Sequence, residues 1–160
     1  SVMLASSKGL QSVFPGITVD AETSRSMTKA LGLIDKAKSQ PEGLRQWVLV
    51  GLATNSAVTD DQLNDILNDI GPNHVLVLIN AHAPVSWVPG TNDVLSDFAA
   101  THSNNVVLVD WDATISAYPD ELAGDGIHPG MSNTLYAQAV KDAITNWIKQ
   151  GHLRIASRKS

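Results

Sequence analysis

None of the 160 residues is cysteine, which excludes disulfides, thiolate metal sites and a cysteine nucleophile. That absence fits an exported bacterial protein. Positive charge is also scarce: 11 Lys and Arg stand against 16 Asp and Glu, for a formal net charge of -5. A nucleic-acid partner is therefore not expected, because neutralising phosphates needs a basic face and the acidic residues here are spread evenly. The one basic cluster, "RIASRKS", reads as part of a tail over residues 152–160 rather than as a binding arm. No run approaches the roughly 18 apolar residues of a membrane span, and no charged leader precedes an apolar segment at the start. Aromatics make up only 5% of the chain, yet 43% of it is apolar, enough for one globular domain with a sizeable core.

What is present is a rhythm of apolar runs and helix-period segments, which points to βαβ units and a mostly parallel sheet. The runs "ITVDA" (17–21), "WVLVGL" (47–52), "HVLVLIN" (74–80) and "NVVLVDW" (105–111) predict strands. The last three are almost continuously hydrophobic, as strands covered on both faces are. Helices are predicted over 2–13, 25–39, 60–70, 91–102 and 132–150. In "TDDQ", Thr59 is placed to cap a helix with an acidic first turn, and Gln62 is placed as its capping-box partner. In the last helix Leu135, Ala139, Ala143 and Trp147 form one stripe with Val140 and Ile144 beside it, and Gly151 stops it. The fold class is α/β, three layers around a doubly wound, mostly parallel sheet. In such a sheet a central strand feeds the first helix, and a missing strand would open a gap of about 4.8 Å. The sequence is therefore expected to lack its true beginning, the first strand lying ahead of Ser1.

Doubly wound sheets build their sites beyond the carboxyl ends of the strands. Ser1, the Ser24 region, Asn55, Asp125 and His128 all follow predicted strands and converge at that edge. Asp125 and His128 lie in "GDGIHPG" (124–130), whose glycines and proline exclude regular structure. These types suit acyl transfer: a serine nucleophile, a histidine base titrating near neutrality, an aspartate orienting it, and donors for an oxyanion. Read singly they are weaker. Ser1 is also a chain start, Asn55 suits a turn, and Asp125 with His128 serves equally as a pair tying down a loop. His74, His82, His102 and His152 show no metal-ligand spacing with that pair. His74 and His102 read as solvated residues at element edges, and His82, just past a strand, as lining the cleft.

In their order and intervals, "SVML", "GLATN" and "DGIHP" resemble the blocks of the SGNH hydrolase superfamily, the first block reading Gly-Asp-Ser and the last Asp-x-x-His. The resemblance spans nearly the whole chain. It is strongest to the extracytoplasmic SGNH domain joined to a membrane acyltransferase in bacterial peptidoglycan O-acetyltransferases, where "DQLN", "LIN", Pro-x-x-Trp and "VVLVDW" recur. It implies a flavodoxin-like SGNH hydrolase fold over residues 1–151 and a serine-dependent O-acetyltransferase acting on a cell-wall glycan. Ser1 would carry the acetyl ester, His128 act as base and acid, and Asp125 orient it. The backbone N–H groups of Ser1 and Ser24 and the Asn55 side chain would form the oxyanion hole, and Arg25, His82 and Trp87 are candidate substrate contacts.

No cofactor or metal is implied. The partners are an acetyl donor, a glycan acceptor and a membrane acyltransferase portion of the parent chain, which would tether a monomeric domain to the bacterial cell surface. Two departures stand out: Ser24 precedes Arg25 where the family often has glycine, and His82 stands where a more basic residue is expected. Three other readings remain: an O-acetylesterase of the same fold, a non-catalytic glycan-binding domain using Trp87, and an N-terminal nucleophile whose own amine is the base.

Overall fold

The computed structural model describes residues 30–39, 47–51, 57–118 and 135–151. The strand expected over 17–21, the helix over 2–13, the first residues of those expected from 25 and from 132, and the tail lie outside the described residues. The elements, in order, are α1 (Ala30–Lys38), β1 (Trp47–Val50), α2 (Asp60–Ile70), β2 (Val75–Ile79), α3 (Val88–Thr101), β3 (Val106–Val109), α4 (Trp111–Ser116) and α5 (Leu135–Lys149). The three described strands form one parallel sheet in the order β1-β2-β3. Trp47 pairs with Val75, and Leu76 with Val106.

Because successive strand side chains point to opposite faces, the apolar runs divide between two cores. Val50, Leu76, Leu78 and Val106 join Ile34 of α1, Leu63 and Ile66 of α2, and Leu95 and Phe98 of α3 on one face. Val75, Val77, Ile79, Val107 and Val109 join Trp111 and Ile115 of α4 and Val140, Ile144 and Trp147 of α5 on the other. This is the expected three-layer doubly wound arrangement. Both crossovers, through α2 and α3, lie on the first face, as right-handed connections require when a sheet grows in one direction.

Local chemistry sets the element ends. Thr59 Oγ1 accepts from the Gln62 N–H at 3.2 Å and Gln62 Oε1 accepts from the Thr59 N–H at 3.0 Å, closing the predicted capping box. Leu63, Ile66 and Ile70 then bury one side of α2, each contributing about 1.5–3 kcal/mol. The helix stops at Gly71, whose φ of 79° admits glycine readily. The final helix stops at Gly151, where φ is 85°.

Three expectations change. Trp111 does not extend the last strand: Asp110 ends it, accepting from the Ala113 N–H at 3.0 Å to start α4, which hydrophobicity alone conceals. The third helix begins at Val88 rather than residue 91, because Pro89 is tolerated in a first turn where no N–H is required. On α5 the buried stripe is Tyr136, Ala137, Val140, Ile144 and Trp147, one position over from the expected one, with Leu135, Ala139 and Ala143 half-buried beside it.

Candidate active site

The carboxyl ends of β2 and β3 are joined by a polar network of side chains. Asn80, just past β2, donates from Nδ2 to Asp110 Oδ1 at 2.9 Å, and its Oδ1 accepts from the Asp112 N–H at 2.9 Å. One amide thus bridges the two strand ends and holds the start of α4. Asn92, in the second turn of α3, pairs reciprocally with the Ala81 backbone: its Oδ1 accepts from the Ala81 N–H at 2.9 Å and its Nδ2 donates to the Ala81 carbonyl at 2.8 Å. Buried Thr91 accepts from the Val58 N–H at 3.3 Å, linking the segment after β1 to the same helix. These bonds satisfy backbone groups that the strands leave open at their ends.

His82 sits on this frame. Its Nδ1 lies 2.7 Å from Asp112 Oδ1, joining the turn after β2 to α4. The side chains remain 28% and 48% exposed, open to a ligand and screened by water. Trp87, at the N-cap of α3 and 37% exposed, ends the same turn. Beneath the network, Trp111 and Tyr136 are fully buried and meet edge to face with centroids 5.0 Å apart. Burial pushes the Tyr136 phenol well above its ordinary range. An open groove of about 620 Å³ runs between α3, β3 and α5, lined by Ala99, Ala139 and Ala143, and among the described residues reaches the polar edge at Asp110, Ala113 and Thr114.

Of the sequence-derived candidates, His82 and Trp87 fall in the described structure, both at the carboxyl edge, as expected for His82. Ser1, Ser24, Arg25, Asn55, Asp125 and His128 lie outside the described residues. His102 lies at an element edge as expected, but half-buried: it caps α3, stacks on Phe98 at 4.1 Å, and its Nδ1 lies 3.0 Å from the Phe98 carbonyl. Sequence reasoning missed Asn80, Asn92 and Asp112. An amide at the end of an apolar strand run was the available signal for Asn80, but the partners of all three are about 11 to 32 positions away, beyond any local pattern.

Sheet order, two-faced core and polar carboxyl edge define an α/β domain of the doubly wound class. No family model matches the chain. It is 34% identical over 145 residues, 88% of its length, to a Bacillus subtilis protein named as a peptidoglycan O-acetyltransferase, YrhL. It is 30% identical over 128 residues, 80% of its length, to O-acetyltransferase OatA of Staphylococcus aureus. The C-terminal catalytic domain of Streptococcus pneumoniae peptidoglycan O-acetyltransferase A, solved with a methylsulfonyl adduct, superposes with a TM-score of 0.78 at 20% identity, covering 93% of this chain and 90% of that one. The chain is thus a homologue of part of these OatA-like O-acetyltransferases and has the fold of the OatA catalytic domain. It spans 22% and 21% of the two full-length relatives.

Proposed function

We propose that this domain moves an acetyl group through an acyl-serine to a hydroxyl of a cell-wall glycan. The observation that carries this reading is sequence similarity, over 88% of the chain, to a protein named as a peptidoglycan O-acetyltransferase. The polar carboxyl edge supports it, since doubly wound sheets hold their ligands there.

In the first step Ser1 Oγ attacks the carbonyl carbon of the acetyl donor while His128 takes the hydroxyl proton. The tetrahedral intermediate collapses, the bond to the donor's leaving oxygen breaks, and His128 returns the proton to that oxygen. In the second step His128 removes the proton of a sugar hydroxyl, whose oxygen attacks the acyl carbon. Collapse then expels Ser1 Oγ, which recovers the proton. Asp125 holds the imidazole in the tautomer that leaves its other nitrogen free and stabilises the charged ring. The Ser1 and Ser24 N–H groups and the Asn55 amide receive the oxyanion of both intermediates. Arg25 and Trp87 are assigned to substrate binding. The parent protein carries a membrane acyltransferase portion that supplies acetyl groups, and the domain, residues 1–151, faces the cell wall outside the membrane.

An activated acetyl ester supplied with and without a chitooligosaccharide tests this reading on the domain and on Ser1→Ala, His128→Ala and Asp125→Asn. The expected result is acetylated saccharide from the wild type, lost in Ser1→Ala and His128→Ala and reduced in Asp125→Asn. Unchanged turnover in Ser1→Ala overturns the mechanism, and free acetate as the sole product at every saccharide concentration makes the domain an esterase.

A further inference from the structure

The His82–Asp112 pair is built with more order than stability requires. Exposed ion pairs contribute about 0–1 kcal/mol, yet both partners are held from behind by separate hydrogen bonds. The Asp112 N–H is taken by Asn80, its carbonyl accepts from Ser116 Oγ at 2.6 Å, and Ala81, next to His82, is gripped on both sides by Asn92. The result is an imidazole fixed in orientation at the edge where a doubly wound sheet binds ligands.

The pair also fixes which nitrogen keeps its lone pair. An ionised carboxylate only accepts hydrogen bonds, so in the neutral ring the hydrogen sits on Nδ1, facing Asp112. Nε2 is left with a lone pair, and no protein group among the described residues bonds to it. A lone-pair acceptor on a ring held by the Asp112 carboxylate offers nothing to phosphates and carboxylates, which lack a hydrogen to donate, and takes O–H donors. An uncharged polyhydroxylated ligand matches that environment.

We propose that His82, positioned by Asp112, is a specificity-determining contact for a saccharide, its Nε2 accepting a hydrogen bond from a sugar hydroxyl. Only the identification of that saccharide as the acetyl acceptor rests on the acyl-transfer reading.

The test is a titration of the domain with chitotriose at about pH 8, above the ordinary imidazole range, followed by nitrogen-15 resonances of the histidine rings. Without ligand His82 shows the Nδ1-protonated tautomer, and chitotriose shifts its Nε2 signal while those of His74 and His102 stay in place. His82→Phe, which keeps a ring but removes the acceptor, weakens binding about 3- to 10-fold, the loss of one hydrogen bond. Asp112→Ala abolishes the tautomer preference and weakens binding by a smaller factor. If transfer is observed, His82→Phe raises KM for the saccharide more than it lowers kcat.

Failure of chitotriose to bind, binding that leaves the His82 signals unmoved, or equal affinity in His82→Phe each overturns the proposal. The titration involves no acetyl chemistry, so a domain that binds chitotriose through His82 but never acylates Ser1 refutes the mechanism and not this contact.

Discussion

At the amino ends of the strands the Trp147 indole donates to the Ser103 carbonyl at 2.7 Å and packs edge-on against Trp47, 5.8 Å between centroids. At the carboxyl ends, Asn80, Asn92, Asp110, Asp112 and His82 bond to one another and to neighbouring backbone. The amino end is closed by large apolar surface and backbone acceptors. The carboxyl end is closed by short polar side chains that leave an imidazole nitrogen without a protein partner among the described residues. Burial stabilises in proportion to area, whereas net hydrogen bonds contribute little individually but fix direction. One end of the sheet therefore supplies stability and the other supplies geometry.

Removing the apolar closure has the largest expected effect. Trp147→Ala deletes a side chain buried against Trp47 and the second core, and should lower unfolding free energy in urea by about 3–5 kcal/mol. A cost below that of Asn92→Ala would invert the comparison. Asn92→Ala leaves both polar groups of Ala81 without their partner, so a loss of about 1–3 kcal/mol is expected, together with shifted His82 ring resonances. Unmoved resonances would mean that Asn92 does not hold the site. Thr59→Ala removes one half of the α2 capping box and should cost about 1 kcal/mol in the same urea assay.

The smallest effect sits at the amino end. The hydrogen bond that protonated Asp35 donates to Asp69, then desolvation, then the Asp69 charge raise the Asp35 carboxyl above its usual 3.8, with Lys38 opposing. A raised pKa contributes stability that is complete below the unfolded value and is lost as pH rises through the folded one. At neutral pH the two carboxylates repel, so Asp35→Asn should slightly raise Tm at pH 7, and the gain should shrink as both proteins are acidified through the carboxylate range. A lower Tm at pH 7 would show that Asp35 is held favourably as a carboxylate.

Much of the fold was legible because its signals are local. The α2 boundaries follow from Thr59, Gln62 and Gly71, and the three described strands from runs that no helix period explains. The short helix α4 was concealed because "VVLVDW" continues the strand's hydrophobicity through Trp111, although Asp110 followed by Asp112 is also a helix-start signature. His102 could be placed at a helix end from sequence, but not its stacking on Phe98, which depends on how the cap closes. At the site, His82 was legible as a residue past a strand. Its partner Asp112 was not, because 30 positions separate them and only the parallel pairing of β2 with β3 brings them together.

The reciprocal pairing of Asn92 with Ala81 has a consequence for how such a domain can change. An amide side chain that offers one donor and one acceptor to a single residue imitates a neighbouring strand, so sheet-like bonding continues one step past Asn80, through a helix. The turn between Ala81 and α3 is thus anchored at both its root and its exit, and lengthening a closed loop costs only a few tenths of a kcal/mol per added residue. Within this turn Ala83 and Val85 pack on the first core and Trp87 caps α3, so the exposed positions 84 and 86 are where the reach and chemistry of the surface beside His82 can be rewritten while the sheet and its helices keep their register.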